Sequence, residues 1–135
     1  MVMNAPARWC FYLAAGVCVM AMLGHELLGN SKVLDPLHGV DLPADVVWLH
    51  HFSWHVGSVA LVAMAAMFVL AARKADHLIL AGFGTAISVG FAVLGVGLAV
   101  LGDPALWRTP APYPWAISAA FGGAGIYLVR KSSQA

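Results

Sequence analysis

Charge is what this chain has least of. Only 10% of its 135 residues are Asp, Glu, Lys or Arg, whereas 61% are hydrophobic, and the mean hydropathy is +0.84. A soluble domain carries about 25% charged residues, so the polar surface that water demands is missing and a bilayer is the expected solvent. Glutamate is almost absent, with Glu26 the sole example. Cysteine is limited to Cys10 and Cys18. Both fall in the inner half of one apolar run, away from an oxidising compartment, and read as small packing residues rather than a disulfide. Period-2 alternation, low-complexity tracts, phosphate-binding loops, dinucleotide fingerprints, nucleophile elbows and basic stripes are also missing, which argues against nucleotides and nucleic acids as partners.

What is present is four apolar runs, residues 9–29, 46–72, 78–101 and 112–129. Crossing a hydrocarbon layer about 30 Å thick takes roughly 20 helical residues. The runs are about twice as long as a barrel strand, and backbone groups in lipid must be satisfied within their own segment or by a closed barrel, so helices are the workable reading. The fold class predicted is an all-α integral membrane protein: one domain over residues 1–135, a four-transmembrane-helix bundle with helices at about 9–29, 46–72, 78–101 and 114–129. The last begins among the prolines of "TPAPYPWA", where Pro112 and Pro114 suit a first turn because the missing N–H is no loss there. Asp45 is placed to cap the second helix, and Asp76 and His77 to open the third, where an acidic group favours the amino end. Arg8 ahead of an apolar stretch has some signal-peptide character. The run continues past the passable cleavage site Val19-Met20-Ala21 to Gly29, however, which favours an uncleaved helix.

Basic residues set the expected orientation. Arg8, Arg73, Lys74, Arg130 and Lys131 lie at one set of helix ends, whereas the opposite loops have only Lys32 and Arg108, among Asp35, Asp41, Asp45 and Asp103. Both termini are therefore expected in the cytoplasm, most simply of a bacterium, with the chain in the inner membrane. Trp48, Trp54, Trp107 and Trp115 cluster at the outer boundary, as an interfacial aromatic belt does.

"WLHHFSWHVGSV", residues 48–59, places three of the six histidines within eight residues of the outer boundary. At about 1.5 Å rise per residue, His25 lies roughly 24 Å beyond Trp9 and His55 roughly 25 Å above Ala72, so the two are level. Glu26 adjoins His25. His51 shares a face with His55 at i,i+4, and Tyr113 of the fourth helix comes near the same height. The candidate site is thus His25, Glu26, His51 and His55, with Tyr113 as a fifth member. A carboxylate inside an apolar run costs several kcal/mol unless it is paired, protonated or near the interface, which makes Glu26 a functional candidate. Snorkelling to the outer headgroups is the bland alternative.

Three uses of that site follow, and a bound transition metal is the leading one. Histidines at i,i+4 with a His-Glu pair on a neighbouring helix suit Zn, Fe, Ni or Cu. In a catalytic version the histidines would hold the metal, Glu26 would serve as general base or ligand and Tyr113 as proton donor. Haem b between His25 and His55 is a second version, with Gly24, Gly57 and Ser58 as small neighbours. The third is proton-coupled transport. Four short helices with one membrane carboxylate in the first resemble the layout of the small multidrug resistance transporters. That architectural resemblance implies a dimer working around the glutamate, although Glu26 lies nearer the outer end than mid-membrane. An accessory subunit without chemistry of its own remains the plain alternative. Its expected support is small residues that let helices approach: Gly82, Ala86 and Gly90, Gly84 with Ser88, Ser118 with Gly122, and Ala119 with Gly123. These explain packing within the bundle first, and a homo-oligomer or larger membrane complex second. The loop of residues 30–45 reads as a turn-rich connector, with a lid over the histidines through His38 and three aspartates as the alternative.

Overall fold

The computed structural model describes residues 3–134. Four long helices account for most of them, and no strand occurs among the described residues. The first helix runs over Ala5–Gly24. It starts earlier than hydropathy suggests because Asn4 caps it, the Asn4 Oδ1 accepting from the Ala7 N–H at 2.8 Å. It then passes into a π-helical turn at His25–Gly29 and a short α-helical piece at Asn30–Val33. The second helix, Ala44–Arg73, follows Pro43 rather than an Asp45 cap. Asp45 sits inside the first turn, where its charge still suits the helix dipole. The third is Leu78–Leu101, entered through a 3-10 turn at Ala75–His77. The fourth is Tyr113–Ser132, with Pro114 in its first turn.

Three helical stretches, Ala5–Leu37, Ala44–Arg73 and Ala75–Leu101, are long and apolar enough to cross a membrane. The first helix packs against the second and the fourth, and the third closes the ring between those two. Asn4 Nδ2 donates to the Leu128 carbonyl at 3.3 Å, which brings the start of the first helix to the end of the fourth. Many large apolar side chains lie outside this ring, among them Leu27, Leu28, Val59, Val93 and Leu101. That surface suits lipid.

The core is built on two phenylalanines seated in glycine notches. Phe11 and Phe68 are fully buried. A Cβ on Gly125 would stand 2.8 Å from Phe11 Cδ1, and one on Gly84 would stand 3.0 Å from Phe68 Cζ. Gly122 faces Phe68 and Thr85 just as closely. Small residues here let the ring edges replace missing side chains, so the helices approach closely. A buried polar chain crosses the bundle at mid-height: Cys18 Sγ lies 3.4 Å from Ser118 Oγ, Ser88 Oγ donates to Ser118 Oγ at 3.2 Å, and Ser88 also donates to the Gly84 carbonyl. Both cysteines are free thiols.

The small residues of the third helix divide between two faces. Gly84 and Ser88 point inward and are buried, whereas a Cβ on Gly82 or Gly90 would meet nothing within 4 Å. Packing within the chain therefore explains the first pair and not the second. Phe68→Ala is expected to cost about 3–5 kcal/mol, because a fully buried aromatic leaves a cavity that its neighbours fill only in part. Unfolding of the detergent-purified protein in mixed micelles, followed by circular dichroism, measures it.

Candidate functional site

The sole glutamate lies in the π turn, and that turn governs the site. A π turn holds one residue more than an α turn and recurs at functional positions. Here it carries His25, Glu26 and Gly29 past Trp54, His55 and Ser58 of the second helix.

Glu26 receives three donors. His55 Nδ1 lies 3.2 Å from Glu26 Oε1, Ser58 Oγ donates to the same oxygen, and Asn30 Nδ2 donates to Oε2 at 3.4 Å. An ionised carboxylate is an acceptor only, so it suits this set. With Glu26 ionised, the His55 Nδ1–H points at the carboxylate and the Nε2 lone pair points away from it. This is the arrangement by which a carboxylate fixes the tautomer and orientation of an imidazole. The His55 side chain is 54% exposed and that of Glu26 26% exposed. The pair thus opens on the outside of the bundle.

His25 is turned to another task. Its ring stacks on the Trp54 indole with centroids 3.7 Å apart and planes 12° from parallel. The His25 Nε2–H donates to the Trp54 carbonyl at 3.0 Å. A Cβ on Gly29 would lie 2.6 Å from Trp54 Cζ2, so glycine makes room for the indole. The Trp54 Nε1 and Asn30 Oδ1 atoms are buried without a hydrogen-bond partner. His51 faces the outer connection: its ring centroid is 5.2 Å from Trp48 and 6.1 Å from His38. His38 is brought there by Gly39, whose φ of 84° favours glycine. Tyr113 donates its hydroxyl to the Trp107 carbonyl at 2.9 Å and makes no hydrogen bond to Glu26 or His55.

Of the five residues singled out by height, the structure joins only Glu26 and His55. No three His, Cys, Asp or Glu side chains among the described residues group as ligands for a metal ion. In this arrangement the His25 Nε2–H donates to a backbone carbonyl, and His51 lies with Trp48 and His38. Ser58 is singled out in the sequence only as a small neighbour of a haem, and Asn30 is not singled out at all. The signal for both was helical spacing, since Asn30 is four residues beyond Glu26 and Ser58 three beyond His55.

Comparison with family descriptions, curated proteins and solved structures finds no match.

Proposed function

We propose that this is a proton-exchanging integral membrane protein in which His55 Nε2 takes up and releases a proton at the outer side while Glu26 stabilises the charged imidazole. One observation carries the reading: a carboxylate, fixed by Ser58 and Asn30, meets His55 Nδ1 at 3.2 Å while the His55 side chain stays 54% exposed. In this reading all four long helices cross the membrane, both chain ends lie in the cytoplasm and the site sits in the outer leaflet of a bacterial inner membrane. Arg8, Arg73, Lys74, Arg130 and Lys131 support that orientation. Coupling the proton to movement of a small solute is the use that such a pair serves in transporters. By residue count His25 of the first helix, His50 and His51 of the second and Tyr113 of the fourth are the other titratable groups near this level, and Val93 to Gly95, the stretch of the third helix at the same count, includes none.

Because Glu26 is the only glutamate, glutamate labelled with carbon-13 at its side-chain carboxyl gives a single site-specific signal. In nanodiscs that signal is expected to shift as the pH passes from mildly basic to mildly acidic, and to lose the shift in His55→Ala. A wild-type carboxylate signal that stays fixed across that range rejects proton exchange at the pair.

A second reading, a helix-packing subunit of a larger membrane assembly, draws on the third helix, where Gly82 and Gly90 lie open on the outer face. With the exposed Ala86 between them they repeat at four-residue spacing, which is what a partner helix needs for close approach.

A further inference from the structure

We infer that the basic end of the bundle binds an anionic phospholipid, whose phosphate meets Arg8 of the first helix together with Arg130 and Lys131 of the fourth. The inference is independent of the Glu26–His55 pair, which lies at the opposite end of the first helix.

The fold gathers charges that are far apart in the chain. Asn4 Nδ2 donates to the Leu128 carbonyl, and the Arg8 N–H donates to the Asn4 carbonyl at 3.1 Å. Arg8 and Lys131 therefore each lie about one helical turn from a hydrogen bond that joins their helices. On the other flank of the first helix, the His25 ring lies against Gly57 of the second. Counting back from His25 and forward from Gly57, at about 1.5 Å per residue, puts Arg8 and Arg73 level, roughly 25 Å from that contact. Lys74 follows Arg73 directly.

These five cations are all exposed, and Asp76 is the single carboxylate at this end among the described residues. It pairs with none of them, because the one ion pair among the described residues is His55 with Glu26. Cations collected on one rim and left uncompensated hold a positive potential that an anion relieves.

The surroundings select a lipid as that anion. Trp9 and Tyr12 are exposed beside Arg8, their rings edge to face with centroids 6.1 Å apart. Tyr127, four residues before Lys131, is exposed on the fourth helix. Tyr12 and Arg8 share a helix face at i,i+4, as do Tyr127 and Lys131. Each helix thus pairs a cation at its end with an aromatic ring one turn further into the apolar span, the order of headgroup and acyl chain in a leaflet. A phospholipid satisfies both, whereas free phosphate meets the charges alone. The cations also sit at three separate helix ends, which gives an acidic peptide no continuous stripe to follow.

The test uses the full chain in a neutral detergent, with equal amounts of dioleoylphosphatidylglycerol and dioleoylphosphatidylcholine, and reads the lipid retained by native mass spectrometry. Retention of the phosphatidylglycerol is expected to exceed that of the phosphatidylcholine at least fivefold. A basic side chain near an anionic lipid surface is worth about a fivefold change. Arg8→Gln with Lys131→Gln should therefore abolish the preference. Arg8→Lys should keep it, and so should Lys32→Gln with Arg108→Gln at the other end. All four side chains are exposed, so packing of the bundle is not at stake. Equal retention of the two lipids, or a preference that survives in the Arg8/Lys131 double variant, overturns the inference. Inorganic phosphate and a ten-residue glutamate peptide are then added as competitors. Lipid that stays bound supports the inference; displacement by phosphate assigns a soluble phosphate anion, displacement by the peptide assigns an acidic protein segment, and either result overturns it.

Discussion

Gly122→Leu is expected to abolish the folded bundle, while Gly90→Leu leaves the isolated chain folded. The two glycines sit on adjacent helices and look alike in the sequence, yet their surroundings differ. A Cβ on Gly122 would collide with Thr85 and approach Phe68 Cε1 to 2.9 Å, whereas one on Gly90 would meet nothing within 4 Å. Phe68 has no room to yield, since it is fully buried and also fills the notch at Gly84. Even Gly122→Ala should cost about 1–3 kcal/mol through overpacking, and leucine adds three more heavy atoms at the same point. Cys18 supplies the readout in a Cys10→Ala background, which removes the half-buried second thiol. Its thiol is buried against Ser118, so a thiol-reactive dye reports heat-induced opening. Gly122→Leu should label at once in the cold, and Gly90→Leu should melt with the wild type. Equal melting of both would remove the glycine notch as the organising feature of the core. A Gly90→Leu chain that folds normally but loses function would point to a partner helix on that face.

Glu26→Gln is expected to release His55 from its fixed tautomer. In the wild type, the bond from Nδ1–H to an ionised acceptor is a charge-assisted one, and such bonds contribute about 1.5–3 kcal/mol. Each 1.4 kcal/mol is about a factor of ten, so the Nδ1–H form should dominate by at least about that factor. A glutamine amide offers a donor and an acceptor at similar positions, and the preference should collapse to near parity. Nitrogen-15 spectra of histidine-labelled protein, with His55→Ala identifying the resonances, measure the two forms directly. Ser58→Ala should weaken the preference less, because it loosens the carboxylate without removing its charge. A wild-type His55 that already shows Nε2–H would reverse the assignment of the outward atom as an acceptor.

The helices were legible because the solvent selects them. Long apolar runs in a chain with few charges have few alternatives, and the structure carries long apolar helices on them. Glu26 was legible for the same reason, as a lone carboxylate in an apolar run. Its partners were not. Counting residues gives height at a fixed rise, and by height His25, His51, His55 and Tyr113 qualified together. It does not give azimuth once the helix changes its period, and the π turn at His25–Gly29 changes it at the site itself. Trp54 was read as a member of an interfacial belt, yet it is the platform on which His25 lies. Gly82, Ala86 and Gly90 were read, like Gly84 with Ser88, as explaining packing within the bundle first, yet a Cβ on Gly82 or Gly90 would meet nothing within 4 Å.

The extra residue lodged in the π turn also acts as a phase shifter. Each residue of a helix advances it by about 100°, at 3.6 residues per turn, so one residue accommodated in a wide turn rotates everything beyond it by about that angle without bending the axis. Beyond the turn the chain leaves the first helix on the side where His38 comes to lie near His51. The azimuth of the outer connection is set by five residues of backbone, and a lineage that deleted one beyond Glu26 would keep its hydropathy profile intact while turning that connection away from its only glutamate.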